Sequence, residues 1–468
     1  MKSKSSRKFL PLAALVAFAT VAPAAELTLQ EQIDALKARL QELDSKVRPL
    51  QRAETTAGDK GFILASPDAA NSLRVRGLIQ ADSRWFFDKS IENDAIVLRR
   101  ARIGLEGKFG KTTDYQVTGE FAGSTATILD ANVTLNYSPE VQLKFGRFKT
   151  PVGLEQLQSD PALLFAERSV VSQLLPNRDL GIQVGGDLLD ARVSYAVGVF
   201  NGTTDGGNNS SQTDTNDGKS LAARVTFQPW VKDKESLLSG LTFGLGGSYG
   251  LEDANGALAT GFKTDGQQTF YSYRTAGATG TTTAVTSNGK VWRLTPQVSY
   301  YRGSFGFIGE YVTSSSDIKA VNTTTASNTV NSTQTVNLKN HAWQIQASYV
   351  LTGEEAGYKG VTPANDFDRA AGTWGAFEVV GRVSSIKFDD QLFGAAVNGA
   401  QFADATKSAQ SASTLGVGLN WYLSKTARFS LDYEYTSFKQ FAGAAAPAAT
   451  SVISHPERLL LTRFGLTF

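Results

Sequence analysis

The sequence predicts an all-β fold: a transmembrane antiparallel β-barrel of about 16 strands, preceded by a short N-terminal coiled coil. Three observations support this prediction. After about residue 70, apolar and polar side chains alternate in segments of roughly ten residues, as in strands with two unlike faces. The connections between these segments tend to alternate between short and long, as in outer-membrane barrels. Aromatic residues such as Trp85, Tyr137 and Trp421 lie towards predicted strand ends, where interfacial girdles belong.

Residues 1–24 are predicted to form a secretory signal peptide. Four basic residues precede the apolar run FLPLAALVAFATV, and Ala22-Pro23-Ala24 follows as an A-x-A cleavage site. The run is too short to span a membrane as a helix, although an uncleaved anchor is the alternative. Without those four residues, 42 basic residues face 44 acidic ones, so the mature chain has a net charge of −2. This balance argues against a nucleic-acid-binding protein.

Residues 25–54 are predicted to form a periplasmic coiled-coil segment, which a linker at 55–72 joins to the barrel. Apolar residues recur there at alternating intervals of four and three: Leu29, Ile33, Leu36, Leu40, Leu43, Val47 and Leu50. Three heptads are marginally stable alone, so oligomerisation of the rest of the chain is expected to stabilise them. A single amphipathic helix packed on its own domain is the alternative.

The barrel is predicted to occupy residues 73–468. Its sixteen strands are expected at 73–87, 95–109, 114–122, 127–137, 140–147, 180–189, 191–200, 219–228, 240–250, 291–301, 303–313, 341–351, 373–386, 412–422, 427–437 and 458–468. The long connections are expected at 148–179, 201–218, 251–290, 314–339, 387–411 and 438–456. An even number of strands lets the barrel close with both ends on one side.

The chain ends in FGLTF, in which Phe464, Leu466 and Phe468 alternate with small or polar residues. We interpret these three residues as the lipid-facing row of the closing strand. Closure matters because an unpaired peptide group in hydrocarbon costs several kcal/mol. The strand that ends at Phe468 is also expected to be the part of the chain that the barrel-assembly machinery recognises.

If the apolar side chains face lipid, the polar side chains between them face the lumen. By this parity the inward basic residues of the first two strands are Arg74, Arg76, Arg100, Arg102 and Lys108. Luminal acids are also numerous: Glu120, Asp130, Asp187, Glu310, Glu378, Asp432 and Glu434. An excess of basic side chains in the lumen favours an anion pathway. Arginines replace part of the hydration shell of an anion, and the anion can still leave because each site binds it only moderately. The alternative is that the charges only keep the lumen wet and brace its wall. Arg99 lies on the lipid parity and is expected beside a bulge or at the rim.

Residues 143–188 carry the most specific motif, LKFGRFKTPVGLEQLQSDPALLFAERSVVSQLLPNRDLGIQVGGDL. This segment resembles the phosphate-selective porin family of porin O and porin P, with G-[RQ]-F-K-x-P, L-E-x-L, E-R-S and R-x-L-G-x-Q in order. LRRARIGLEGKFG, AWQIQASYVLTGE and LGVGLNWYLS are similar to further family segments. The resemblance implies a homotrimeric outer-membrane barrel whose water-filled pore passes small inorganic anions, phosphate or polyphosphate above all, by passive diffusion. It maps anion-contacting positions onto Arg100, Arg102, Lys144, Arg147, Lys149, Arg168 and Arg178.

The connection at 148–179 is expected to fold into the pore and constrict it. It is far longer than a hairpin loop, and long loops of this kind are usually functional. Its apolar ALLF stretch could dock on the inner barrel wall, which would bring Lys149, Arg168 and Arg178 to the narrowest point. Glu155 and Glu167 are expected to brace those cations.

Two functions other than an anion channel are considered: an enzyme and a general porin with a tether. The chain is not expected to be an enzyme or to bind a cofactor, because it has no cysteine and its two histidines lack a serine in a nucleophile-elbow sequence. A general non-specific porin that tethers the outer membrane to the cell wall through the N-terminal coil is the alternative to an anion channel.

Overall fold

The computed structural model describes residues 28–47, 54–58, 61–88, 92–209, 217–251, 258, 261–275, 281–324, 326–327, 329–394 and 401–468. The predicted signal peptide lies outside these residues. The chain divides into two units, residues 1–52 and residues 53–468, which are described separately below.

The first unit contains one described helix, α1 (Leu29–Val47). Its start is fixed by a capping box, in which the Glu31 amide donates to Thr28 Oγ1 (3.4 Å) and the Thr28 amide donates to Glu31 Oε2 (2.8 Å). The predicted heptad positions Leu36, Leu40 and Leu43 are exposed on the surface of α1. A helix is therefore present where the coil is expected, and its pairing with other copies stays a prediction. None of the described helices is both long and apolar enough to cross a membrane.

The second unit is built from strands. They are β1 (Glu54–Gly58), β2 (Gly61–Ala65), β3 (Ser72–Phe86), β4 (Ala95–Phe109), β5 (Thr113–Glu120), β6 (Thr127–Ser138), β7 (Val141–Lys149), β8 (Arg178–Leu188), β9 (Val193–Phe200), β10 (Ser220–Phe227), β11 (Leu241–Leu251), β12 (Phe262–Lys263), β13 (Thr269–Tyr271), β14 (Thr281–Arg302), β15 (Phe305–Thr324), β16 (Thr329–Val350), β17 (Ala376–Lys387), β18 (Ser411–Tyr422), β19 (Ala427–Lys439) and β20 (Glu457–Thr467). A short helix, α2 (Leu154–Leu157), lies between β7 and β8.

Within the described residues, β3–β11 and β14–β20 form a closed antiparallel barrel of sixteen strands. Each strand pairs with the next along the chain, and β20 closes the ring on β3 with Leu459 opposite Phe86 and Thr467 opposite Leu78. Each of the sixteen predicted strands overlaps one of these, so the predicted barrel is confirmed. The region predicted as a linker contains the β1–β2 hairpin, which extends the sheet along the start of β3.

The barrel has one end with long loops and one with mostly short turns, and both the start of β3 and Phe468 lie at the short-turn end. The prediction of a loop over 314–339 is wrong, because β15 and β16 continue through most of it. The reason is tertiary packing. Ile318, Ala320 and Leu338 point inward from these strand extensions and are buried in an apolar core that the long loops build over the barrel mouth.

Candidate permeation pathway

Residues 150–177, between β7 and β8, form a segment that we call the inner loop, and most of its side chains are buried. Its ALLF stretch is docked on β18 and β19 as the sequence predicts. Leu163 O accepts from Arg428 Nη1 (2.7 Å), and Leu164 O accepts from Asn420 Nδ2 (2.8 Å). The Phe165 ring lies under the Arg382 guanidinium at 4.3 Å.

The other end of the inner loop is bound to the neighbouring part of the same wall. The amides of Leu154 and Glu155 donate to the two carboxylate oxygens of Glu310 on β15, at 2.7 and 3.2 Å. Val152 O accepts from Gln297 Nε2 on β14 at 2.6 Å. The inner loop therefore covers the β14–β20 half of the lumen.

A cavity of about 600 Å³ remains between the inner loop and the opposite half of the barrel. Its walls come chiefly from β3–β10. Among the described residues, seven cations line it: Arg74, Arg76, Arg102, Lys144, Lys149, Arg178 and Arg224. The acids that line it in the same part of the chain are Asp130 and Asp160. The passage left open is therefore strongly basic, although the chain as a whole is nearly neutral.

Both acids of the cavity form ion pairs with arginines. Asp130 accepts two bonds from Arg178, from Nε at 3.0 Å and from Nη2 at 3.2 Å. Asp160 contacts Arg168 (2.6 Å), Arg100 (3.3 Å) and Arg102. Burial opposes the charge of Asp160, but these arginines hold the pKa of its carboxyl well below the ordinary value. Asp160 therefore stays ionised and is fully engaged with its own loop and wall.

Three cations of the cavity have no carboxylate within ion-pair distance in the described part of the chain. Lys144 Nζ lies 4.9 Å from the centre of the Phe148 ring. Lys149 Nζ donates to Gln158 O at 2.9 Å, and Arg224 Nε donates to Gln297 Oε1 at 2.8 Å. These three charges remain available to a passing anion.

The structure brings six of the ten candidate residues to the cavity: Arg74, Arg76, Arg102, Lys144, Lys149 and Arg178. Arg74 and Arg76 share one acid, Glu106, at 3.2 and 2.9 Å. The other four candidates, Arg100, Lys108, Arg147 and Arg168, do not line the cavity.

Each of those four has a structural partner instead. Arg100 is buried between Gln80 (2.8 Å) and Asp160. Arg168 donates to Gln158 O at 2.6 Å as well as to Asp160, so it braces the inner loop. Arg147 is buried and donates to the Ile128 carbonyl. Lys108 is exposed near the short-turn end and lies 3.9 Å from Asp114. Strand parity gives the face that a side chain lies on, but it does not give its partner.

Neither carboxylate braces Lys149, Arg168 or Arg178 as the sequence predicts. Glu167 binds other cations: Arg99 (2.7 Å) and Arg463 (2.6 Å), with Arg100 at 3.7 Å. Burial opposes the charge of Glu167, yet these guanidiniums lower the pKa of its carboxyl. The carboxylate of Glu155 accepts from three neutral side chains: Ser169, Gln344 and Gln346.

The bulge expected near Arg99 is confirmed. Gln80 pairs with Arg100 and Ala81 pairs with Leu98, so Arg99 is the extra residue of β4. The bulge places Arg99 on Glu167, within reach of the inner loop, instead of leaving it in lipid. The sequence signal was the run Leu98-Arg99-Arg100, in which two adjacent arginines cannot both share one parity.

The structure adds a feature that the sequence analysis missed. Residues 351–375 at the short-turn end fold up against the inner loop: Tyr358 Oη donates to Leu154 O (2.6 Å), and Tyr358 O accepts from Gln158 Nε2 (2.8 Å). Gly357 and Gly360, with Pro363 close behind, mark this segment as irregular in the sequence. Nothing in the pattern shows that it points into the barrel, because that depends on contacts far away in sequence.

Comparison with known proteins identifies relatives over most of the chain. The family model described as phosphate-selective porin O and P matches residues 74–452. Porin O of Pseudomonas aeruginosa is 25% identical over 411 residues, which cover 80% of this chain and 84% of that protein. The crystal structure of the outer-membrane channel DcaP of Acinetobacter baumannii is 11% identical with a TM-score of 0.51, and covers 88% of this chain and 100% of its own.

Proposed function

This chain belongs to the phosphate-selective porin O and P family, and on that premise we propose that its outer-membrane pore selects small inorganic anions, with phosphate or polyphosphate as the solute. Passage is passive diffusion through water between the inner loop and the β3–β10 wall. The observation that carries the proposal is the set of three cations, Lys144, Lys149 and Arg224, that face the cavity without a carboxylate partner among the described residues.

The physical argument is electrostatic. The two lining acids are neutralised by Arg178 and by the arginines around Asp160, so the excess charge of the cavity is positive. Fixed charges in a narrow passage act at short range, where counter-ions cannot fully screen them, since the Debye length is about 8 Å at physiological salt. Several sites of moderate strength let an anion enter and then leave, as conduction requires.

The test is the reversal potential of single channels across a salt gradient. Lys144→Glu with Arg224→Glu should shift selectivity strongly towards cations, because two cavity charges change sign. Lys108→Glu with Lys111→Glu makes the same change in charge outside the cavity and should leave the reversal potential near that of the wild type. If the first pair also leaves it unchanged while folding normally, the pore is a general porin and the selectivity proposal fails.

We also propose a secondary role for α1 as a periplasmic coil that contacts the cell wall. The exposed apolar row of Leu36, Leu40 and Leu43 supports the coil itself, since such a row is usually covered by a partner helix, and contact with the cell wall is the further step that the deletion below tests. Deleting residues 25–55 should weaken the envelope while the conductance of the barrel persists. Unchanged sensitivity of the deletion strain to detergent would remove this role.

A further inference from the structure

Towards the long-loop end, the outer face of β16–β19 carries successive rows of side chains that differ in polarity. The last apolar row consists of residues in cross-strand register: Val383, Leu415 and Tyr435. Two residues further along β17, β18 and β19 comes a row of hydroxyls, Ser385, Ser413 and Ser437, with Trp343 of β16 opposite Ser385. The row beyond it is polar and contains two lysines: His341 pairs with Lys387, which pairs with Ser411, which pairs with Lys439. Lys339 lies two residues along β16 from His341. We name Lys339, His341, Lys387 and Lys439 the outer-rim patch.

The depth of these rows follows from strand geometry. Two residues advance a strand by about 6.6 Å, and a tilt of roughly 40° reduces the rise along the membrane normal to about 5 Å. On a given strand, the serine therefore stands about 5 Å above the last apolar residue, and the lysine about 10 Å above it. The headgroup layer on each side of a bilayer is about 5–8 Å thick. The serines thus lie within that layer, and the lysines, with their long flexible stems, lie at its outer boundary.

The acids near the patch do not neutralise it. Asp389 accepts from two backbone amides, those of Lys339 (2.8 Å) and Gln391 (3.0 Å), and so is used in closing its own turn. Asp390 lies 3.7 Å from Lys387, but both side chains are more than 60% exposed, so the pair contributes little. Lys339 and Lys439 are exposed and have no acidic partner in the part of the chain that is described.

The layering is not found on β4–β6. There, outward side chains at the same end are large and apolar up to the strand ends: Ile96, Leu98, Phe121 and Ile128. Ile96 is 81% exposed in the single chain. The long-loop end of β16–β19 therefore differs in polarity from that of β4–β6.

We propose that the outer-rim patch binds the phosphorylated headgroup of an outer-leaflet glycolipid. Long loops mark the external side of such barrels, so the patch faces the outer leaflet. The ammonium groups of the patch match the charge and the acceptor oxygens of lipid-borne phosphates. The patch continues directly from the lipid-facing band, so a headgroup reaches it while its acyl chains lie against Tyr435, Leu415 and Val383. Free phosphate finds only an open surface with solvent screening.

The test uses the triple variant Lys339→Gln, Lys387→Gln, Lys439→Gln in the full-length protein. Native mass spectrometry in detergent would measure retention of a bis-phosphorylated glycolipid and, separately, of its dephosphorylated form. A basic residue near an anionic membrane surface strengthens association about fivefold, so the triple variant should bind roughly a hundredfold more weakly at low salt. The dephosphorylated lipid should bind wild type and variant alike, and 10-fold excess inorganic phosphate should not displace the lipid.

The matched control removes three exposed lysines at the short-turn end: Lys111→Gln, Lys232→Gln and Lys234→Gln. It loses the same charge, and the proposal requires it to retain the glycolipid like the wild type. Equal retention by the patch variant, or equal retention of the two lipid forms by the wild type, would overturn the proposal. Heat-modifiable migration in gels establishes that each variant is folded before it is compared.

Discussion

At the residue scale, the backbone of Phe468 lies close to that of Gly77 on β3, and this approach accommodates the phenylalanine ring. Phe468 continues the β20–β3 ladder, donating to Gly77 O (3.2 Å) and accepting from the Gly77 amide (2.8 Å). Its ring covers Gly77, where a Cβ atom would lie 2.1 Å from Cζ of the ring. The absence of a side chain at position 77 therefore lets the Phe468 ring lie against the backbone of β3. Parity in the sequence predicts the outward direction of Phe468, but not the glycine beneath it.

Gly77→Ala should impair closure of the barrel. The added methyl group must displace the ring, and overpacking of this kind usually costs about 1–3 kcal/mol. We expect a lower yield of heat-modifiable barrel on refolding into lipid. Gly381→Ala is the matched control, because a Cβ atom at that strand position meets nothing within 4 Å. If the clash is with the ring, Gly77→Ala should cost nothing further in a Phe468→Ala background. An additive loss in that double mutant would disprove the mechanism.

A second prediction at this scale concerns Glu92, in the loop between β3 and β4. Burial, with Asp88 nearby, raises the pKa of the Glu92 carboxyl to about 7. A carboxyl with a raised pKa holds its proton in the folded loop while the unfolded chain releases it near its ordinary value. The loop should therefore be most stable at acidic pH and lose stability as pH rises towards 7, with little change above.

Hydrogen-exchange protection of the amides of residues 92–94, corrected for intrinsic rates, would measure this. Protection should fall between pH 5 and pH 7.5 in the wild type and change less in Glu92→Gln. His455 lies 4.0 Å from Glu92, so His455→Gln separates the contributions of the two side chains. A pH profile that persists in Glu92→Gln and disappears in His455→Gln would assign the effect to the histidine.

At the scale of elements, the sixteen strands are predictable because lipid and water impose opposite preferences on the two faces of every strand. Prediction from alternating polarity fails where one face of a strand or segment packs against other protein residues instead of lipid or water. The extensions of β15 and β16 pack against the loop core, and residues 351–375 pack under the inner loop, so their sequences show no alternation between lipid and lumen. Candidate site residues were missed or misplaced for the same reason. Arg100 and Arg168 have suitable chemistry, but Asp160 binds both.

Glu310 should hold the inner loop in place, since its carboxylate accepts both Leu154 and Glu155 amides at the start of α2. Glu310→Ala leaves these two buried N–H groups without their acceptor, at a cost of about 1–3 kcal/mol each. We expect smaller single-channel conductance and more open-channel noise, because the inner loop swings away from the β14–β15 wall and into the remaining passage. Asp187→Ala is the control: among the described residues, the carboxylate of Asp187 accepts from Ser194 (2.5 Å) near a short turn, away from the inner loop. Unchanged conductance in Glu310→Ala would show that the contacts to β18 and β19 suffice.

At the scale of the whole molecule, we expect a homotrimer. Family membership favours three copies, whereas Ile33, Leu40 and Val47 at one seam position, with leucine at the other, favour two. Cross-linking of the protein in native membranes should give a ladder that ends at trimers. Deleting residues 25–55 should leave the barrel trimeric if the barrel wall specifies the assembly. A ladder that stops at dimers would mean that the coil, and not the barrel, sets the number of copies.

The last prediction concerns salt, and it follows from the contrast between local and net charge. The chain as a whole is nearly neutral, yet seven cations and two acids line the cavity in the described residues. A volume of 600 Å³ corresponds to a sphere about 10 Å across, so its centre lies about 5 Å from the wall charges. At 0.15 M salt the Debye length of about 8 Å exceeds that distance, and at 1 M it falls to about 3 Å. The ratio of anion to cation permeability should therefore decline steeply between these concentrations. Reversal potentials measured with a fixed salt gradient at several mean concentrations would show it. If the permeability ratio stays constant up to 1 M salt, the summed field of the cavity does not determine selectivity. The pore would then select anions by direct contact with Lys144, Lys149 and Arg224, at distances shorter than the screening length.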